Sequence, residues 1–139
     1  MSKRLTTDVE PYVADYLALE YAASEPYNSF VFDNKAQADE VRHLLFFSEA
    51  CEYSPPFGQI LLDENSPVGM IACLTGKQLT GIRLKGALEL RRAGIVERYP
   101  GLQQRLQLAA QTLLKPHAED FYLSRIAITA NQRGQGTGS

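Results

Sequence analysis

The sequence predicts an α/β fold, with helices packed on a mixed α+β sheet, and three observations carry that prediction. Two N-terminal stretches repeat apolar residues at helical spacing. Two apolar runs, Gln59 to Leu62 and Val68 to Leu74, flank the polar turn Asp63-Glu64-Asn65-Ser66-Pro67, which is a hairpin pattern. A further strand-like run, Phe121 to Ile128, follows only after a long helical stretch. A hairpin and a separate strand with helices around them build a layered α/β or α+β domain.

Each element has its own grounds. Lys3 to Leu5 can form a short first strand. Thr7 or Asp8 can cap a first helix with Pro11 in its first turn. Val9, Val13, Tyr16, Leu17 and Tyr21 then place that helix over about residues 8–22. Ser24-Glu25-Pro26-Tyr27-Asn28 breaks it. The apolar run Phe30-Val31-Phe32 leads to a second cap at Asp33 or Asn34, and Ala38, Val41, Leu44, Leu45 and Ser48 set a helix at about 35–49. Ser54-Pro55-Pro56-Phe57-Gly58 reads as a loop before the hairpin, whose second run is dense enough for a buried strand. Within 77–118, Leu84 and Leu88, then Leu102, Leu106, Ala109 and Leu113, indicate two helices. Gly94 and Tyr99-Pro100-Gly101 punctuate them, and Lys115-Pro116 ends the second.

Composition narrows the function. A length of 139 residues is one domain, 1–139. With 45% hydrophobic and 22% charged residues, the chain is globular rather than disordered. A pI near 5.7 gives no nucleic-acid signature. No apolar run is long enough to span a bilayer, and no signal-peptide core opens the chain, so a cytoplasmic protein is expected. Cys51 and Cys73 are too few for a disulfide framework; neither they nor His43 and His117 have metal-ligand spacing, so no metal is expected. Charge is uneven. Residues 77–118 carry eight basic and two acidic side chains, a balance of +6, while the remainder carries six and fourteen, a balance of −8. That stretch reads as a solvated amphipathic pair or as a shield for a binding site that attracts acidic groups.

The most informative motif is Asn131-Gln132-Arg133-Gly134-Gln135-Gly136-Thr137-Gly138-Ser139, directly after the last strand-like run. Glycines let backbone N–H groups approach an anion closely, and Arg133 adds a positive charge. A P-loop would need a lysine between Gly138 and Ser139, and the Gly134-x-Gly136-x-Gly138 spacing fits a dinucleotide fingerprint poorly. Arg133-Gly134-Gln135-Gly136-Thr137-Gly138 does match Arg/Gln-x-x-Gly-x-Gly/Ala at every defined position. In its setting after a strand, this resembles the acyl-CoA-binding motif of the GNAT superfamily of N-acyltransferases.

The resemblance implies an N-acetyltransferase that moves an acetyl group from acetyl-CoA to a primary amine by direct attack. Backbone amides of Arg133, Gly134, Gln135, Gly136, Thr137, Gly138 and Ser139 would hold the CoA pyrophosphate. Ile126, Ala127 and Ile128 would pair with the pantetheine arm. Ser124 stands where the family often places a carboxylate base acting through water; Ser124 can hold a water, and Glu52, or Glu119 or Asp120, can supply the base. Tyr27, Asn28, Phe30 and Tyr53 lie by the loops that line the family's acceptor side. The acceptor is a small-molecule or peptide amine of unspecified kind. The resemblance covers about the first two-thirds of a family domain, so the expected fold is GNAT-like and truncated after the fourth strand, with 77–118 a helical insertion between the third and fourth strands. In such a chain the Ser139 carboxylate would repel a pyrophosphate. The alternative reading is therefore an inactive fragment or degenerate domain that associates through an open sheet edge, as a homodimer or with a complementing C-terminal chain.

Overall fold

The computed structural model describes residues 3–112 and 119–129. Four strands, β1 (Lys3–Thr6), β2 (Gly58–Asp63), β3 (Ser66–Thr75) and β4 (Phe121–Ile128), form one sheet in the order β1-β2-β3-β4, every neighbouring pair antiparallel. The helices are α1 (Val13–Ala23), α2 (Tyr27–Val31), α3 (Lys35–Phe47), α4 (Gly76–Arg92), α5 (Ile95–Arg98) and α6 (Leu102–Thr112). This is the mixed α+β architecture the sequence predicts, with α4, α5 and α6 inserted between β3 and β4.

Local chemistry explains most boundaries. The β2–β3 turn tightens to two residues, Glu64 (φ 50°) and Asn65 (φ 71°), both left-handed as a type I′ hairpin requires. Asn34 caps α3 by accepting from the Gln37 N–H at 2.8 Å, and the Gln37 side chain returns to the Asp33 N–H at 2.8 Å. Thr75 and Gln78 form a complete capping box that starts α4 at the end of β3.

Three local expectations are corrected. Neither Thr7 nor Asp8 caps the first helix: the Asp8 N–H donates to Thr6 Oγ1, and a 3-10 turn over Glu10–Tyr12, carrying Pro11, precedes α1. Tyr27 and Asn28, read as part of the break after the first helix, instead open the short helix α2, Tyr27–Val31. On α4, Leu84 and Leu88 face outward, 64% and 49% exposed; the buried stripe is Leu79, Ile82, Gly86 and Leu90.

Two cores result. One face of the sheet, with Ile60, Leu62, Met70 and Ala72, packs against Tyr16 and Leu17 of α1 and Phe46 of α3. The second core lies among helices alone: Val31, Phe32, Ala38 and Val41 from α2, α3 and their link meet Leu90, Ile95, Leu102 and Ala109 of the inserted helices. The insertion is thus packed against α2 and α3. No described helix is long and apolar enough to cross a membrane.

A candidate acceptor cavity beside a bulged edge strand

A cavity of about 300 Å³ lies where the two cores meet, bounded by α1, α2, α3, the 50–53 loop, α4, α6 and Arg125 of β4. Its floor is a buried ionic cluster. Glu20 sits on the same stripe of α1 as Tyr16, Leu17 and Ser24, and is 1% exposed. Its carboxylate accepts from Arg42 Nη2, from Ser24 Oγ and, at 2.8 Å, from Arg125 Nε. Arg42 also donates to the Leu17 carbonyl at 2.8 Å, and its guanidinium stacks over Tyr21 and Tyr53. Charges this deeply buried persist only when paired and hydrogen-bonded, and here they are.

Beside the floor stands the pair Glu52 and Ser124. A tight turn places Glu52: the Cys51 N–H donates to Ser54 Oγ at 3.0 Å, the Ser54 N–H donates to the Cys51 carbonyl at 3.1 Å, and Tyr16 Oη donates to the Tyr53 carbonyl at 2.7 Å. Gly58 leaves room for that tyrosine, since a Cβ there would lie 2.2 Å from Tyr16 Oη. Ser124 is placed by a register shift. Ala72 pairs with Arg125 while Cys73 pairs with Leu123, so Ser124 is the extra residue of a β-bulge. Its hydroxyl donates to Glu52 Oε1 at 3.1 Å and accepts from Arg125 Nη1 at 3.1 Å. Arg83 of α4 approaches the other carboxylate oxygen, with Nη2 3.8 Å from Oε2.

Burial keeps the neighbouring acids protonated. It raises the Tyr27 and Tyr53 hydroxyls above the usual phenol value, and pushes the Cys51 thiol up to about 11 against the opposing hydrogen bond to Ser54. At neutral pH these groups stay protonated and are not nucleophiles.

β4 is an edge strand among the described residues. The Thr129 N–H donates to the Val68 carbonyl at 2.8 Å. Antiparallel alternation then turns the backbone groups of Ala127 and Arg125 toward β3, and those of Ile126 and Ile128 toward the open edge. Of the three residues expected to pair with an extended ligand, Ile126 and Ile128 therefore turn their backbone groups to an edge left open among the described residues, and Ala127 does not.

The structure thus brings Glu52 and Ser124 into contact and lines the cavity with Tyr27, Asn28 and Tyr53. Asn28 is spent on structure, its Nδ2 donating to the Tyr21 carbonyl at 2.7 Å. Phe30 is 52% exposed and does not line the cavity. The glycine motif, Arg133, Gly134, Gln135, Gly136, Thr137, Gly138 and Ser139, lies outside the described residues. Sequence reasoning missed Glu20, Arg42, Arg83 and Arg125. Among the described residues no three His, Cys, Asp or Glu side chains converge as a metal site would require.

Neither a family model nor a curated protein matches the sequence. The chain does superimpose on a solved structure of an acetyltransferase with a TM-score of 0.54 and 15% identity, over 98% of this chain and 67% of that one. At that identity the likeness is one of fold, and the architecture is acetyltransferase-like.

Proposed function

We propose that the chain is an N-acetyltransferase domain that uses acetyl-CoA to acetylate a primary amine by direct attack. The observation that carries this reading is the β4 bulge at Ser124, where an open strand edge, a carboxylate and an acceptor-sized cavity meet. The described residues fit the carrier in one respect: Ile126 and Ile128 turn their backbone groups to the open edge of β4, as pairing with an extended amide-bearing arm requires. Acetyl-CoA bound there would supply a thioester whose C–S bond breaks as the amide C–N bond forms, the thiol leaving with the proton the amine gives up.

The chain's own residues position the amine and move that proton. Glu52 accepts it, directly or through a water held by Ser124, and gives it up to the departing thiolate. Arg125 donates to the Ser124 hydroxyl at 3.1 Å and to the Ser124 carbonyl at 2.8 Å, which keeps the bulge in place while the Glu20 carboxylate anchors Arg125. The positive lining from Arg83 and Arg91 favours a neutral amine over an ammonium ion, which eases deprotonation.

The test is thiol release from acetyl-CoA over a panel of primary amines. Glu52→Gln should lower kcat by roughly 10²–10⁴-fold, the range for removing a general base, and leave the KM for acetyl-CoA unchanged. Wild-type turnover retained in Glu52→Gln, or no acetyl-CoA binding by the wild-type chain, would overturn the reading.

A further inference from the structure

We propose that the cavity takes a free α-amino acid with an apolar side chain, held by its carboxylate at Arg83 and by its amine at Glu52. Its role as the acetyl acceptor rests on the function proposed above; its binding does not.

Three features lead there. The first is an unused donor. Arg83 Nη2 is buried at the cavity wall and has no hydrogen-bond partner among the described residues, the Glu52 oxygen at 3.8 Å lying beyond bonding distance. A buried donor left unpaired is costly, and on a guanidinium the natural complement is a carboxylate. The second is charge. Arg42, Arg83, Arg91 and Arg125 line the cavity against Glu20 and Glu52, four positive groups to two negative. Arg42 and Arg125 are already paired with Glu20. Because those two arginines share one carboxylate, and Arg83 faces Glu52 at 3.8 Å, the lining keeps a net surplus of two positive charges, and a simple alkylammonium ion would enter an already positive site. A zwitterion brings the missing anion. Because Glu52 and Arg83 approach so closely, an amine at one and a carboxylate at the other must come from adjacent carbons.

The third feature is the remaining surface. Ile82, Leu90, Val96, Leu102 and Leu106 make an apolar wall from the inserted helices, suited to an aliphatic side chain. The volume of about 300 Å³ is at the small end of ligand cavities, which run to about 300–1,000 Å³. A free amino acid fills such a space, whereas a peptide would have to continue out of it.

The experiment is calorimetric titration of the full chain with L-leucine, with isoamylamine (the same molecule without its carboxylate) and with isocaproate (the same molecule without its amine). L-leucine should bind at least about tenfold more tightly than either, the loss expected for one hydrogen bond to a charged group. Arg83→Gln should weaken L-leucine about tenfold and shift isoamylamine by less than about twofold, with Arg83→Lys intermediate because it keeps the charge and loses the fork. Equal binding of L-leucine and isoamylamine by the wild-type chain, or no binding of L-leucine with or without acetyl-CoA, would overturn the proposal. A parallel acetyl-CoA titration keeps the two readings apart: L-leucine binding with this selectivity but no acetyl-CoA binding supports the amino-acid site and removes the transferase.

Discussion

Glu20 is a buried carboxylate shared by two arginines that come from opposite sides of the fold. Arg42 reaches it from α3 and Arg125 from β4, across 22 and 105 positions of sequence. Removing one member of a buried ion pair leaves the other charge uncompensated, and that penalty exceeds the net worth of the pair. Glu20→Gln should therefore cost about 3–5 kcal/mol in urea unfolding. Breaking the exposed Lys35–Asp39 pair, whose side chains are 62% and 41% exposed, should cost less than about 0.5 kcal/mol. Part of the site was legible at this scale. Ser124 and Glu52 stand out only through the family resemblance, as the residue in the usual place of a carboxylate and its substitute base, and in the structure the Ser124 hydroxyl donates to Glu52. The ionic floor was not legible, since a charge on an amphipathic helix ordinarily faces water. The available signal was position: Glu20 falls one turn beyond Tyr16 and Leu17 on the apolar stripe, and Arg42 follows Val41 within another.

The inserted helix α4 holds two glycines in opposite circumstances. A Cβ on Gly86 would meet the Ala50 carbonyl oxygen at 2.7 Å, whereas a Cβ on Gly81 meets nothing within 4 Å. Alanine gains about 0.8–1.0 kcal/mol over glycine in a helix interior, and overpacking costs about 1–3 kcal/mol. Gly81→Ala should thus raise the thermal midpoint and Gly86→Ala should lower it, since the backbone of the 50–53 loop cannot yield cheaply. A second tie between elements is sensitive to pH. Glu40 of α3 accepts from Tyr99 Oη and pairs with Arg98 of α5. The Tyr99 hydrogen bond above all, helped by Arg98, holds its carboxyl below the usual range against the opposing effect of desolvation. A depressed carboxyl contributes stability above its unfolded value, about 4.3 for Glu, and loses it as pH falls through the folded value. Glu40→Gln should therefore unfold at a lower temperature than wild type at pH 7, with the difference closing in acid. Elements were the most legible level, because caps and periodicity are local. Asn34, the hairpin turn and β4 fall where the sequence puts them. Which side of α4 is buried was not read: Leu84 and Leu88 lie on one side and Leu79, Ile82 and Leu90 on another, and it is the second, with Gly86 close against the Ala50 carbonyl, that packs inward.

Across the whole molecule the two faces of the sheet differ. α1 and α3 cover the face with Ile60, Met70 and Ala72, while Leu5, Phe121, Leu123 and Ile126 on the other strand positions remain 49–74% exposed. The bulge sets this division on β4, since inserting Ser124 sends Arg125 to the Glu20 side and Leu123 and Ile126 to the other. No local pattern in the sequence announces a bulge, so the meeting of strand edge and cavity had to come from the structure. That geometry makes a prediction for each amide of β4. The Thr129, Ala127 and Arg125 N–H groups face β3, so their hydrogen exchange should be slow. The Ile126 and Ile128 N–H groups face the open edge and should exchange fast in the free chain. Adding acetyl-CoA should slow Ile126 and Ile128 selectively and leave Ala127 unchanged, because only the edge-facing groups gain a partner. If Ile126 and Ile128 are already protected in the free chain at dilute concentration, the edge is covered by something other than the carrier, and the strand is a structural seam rather than a binding rail.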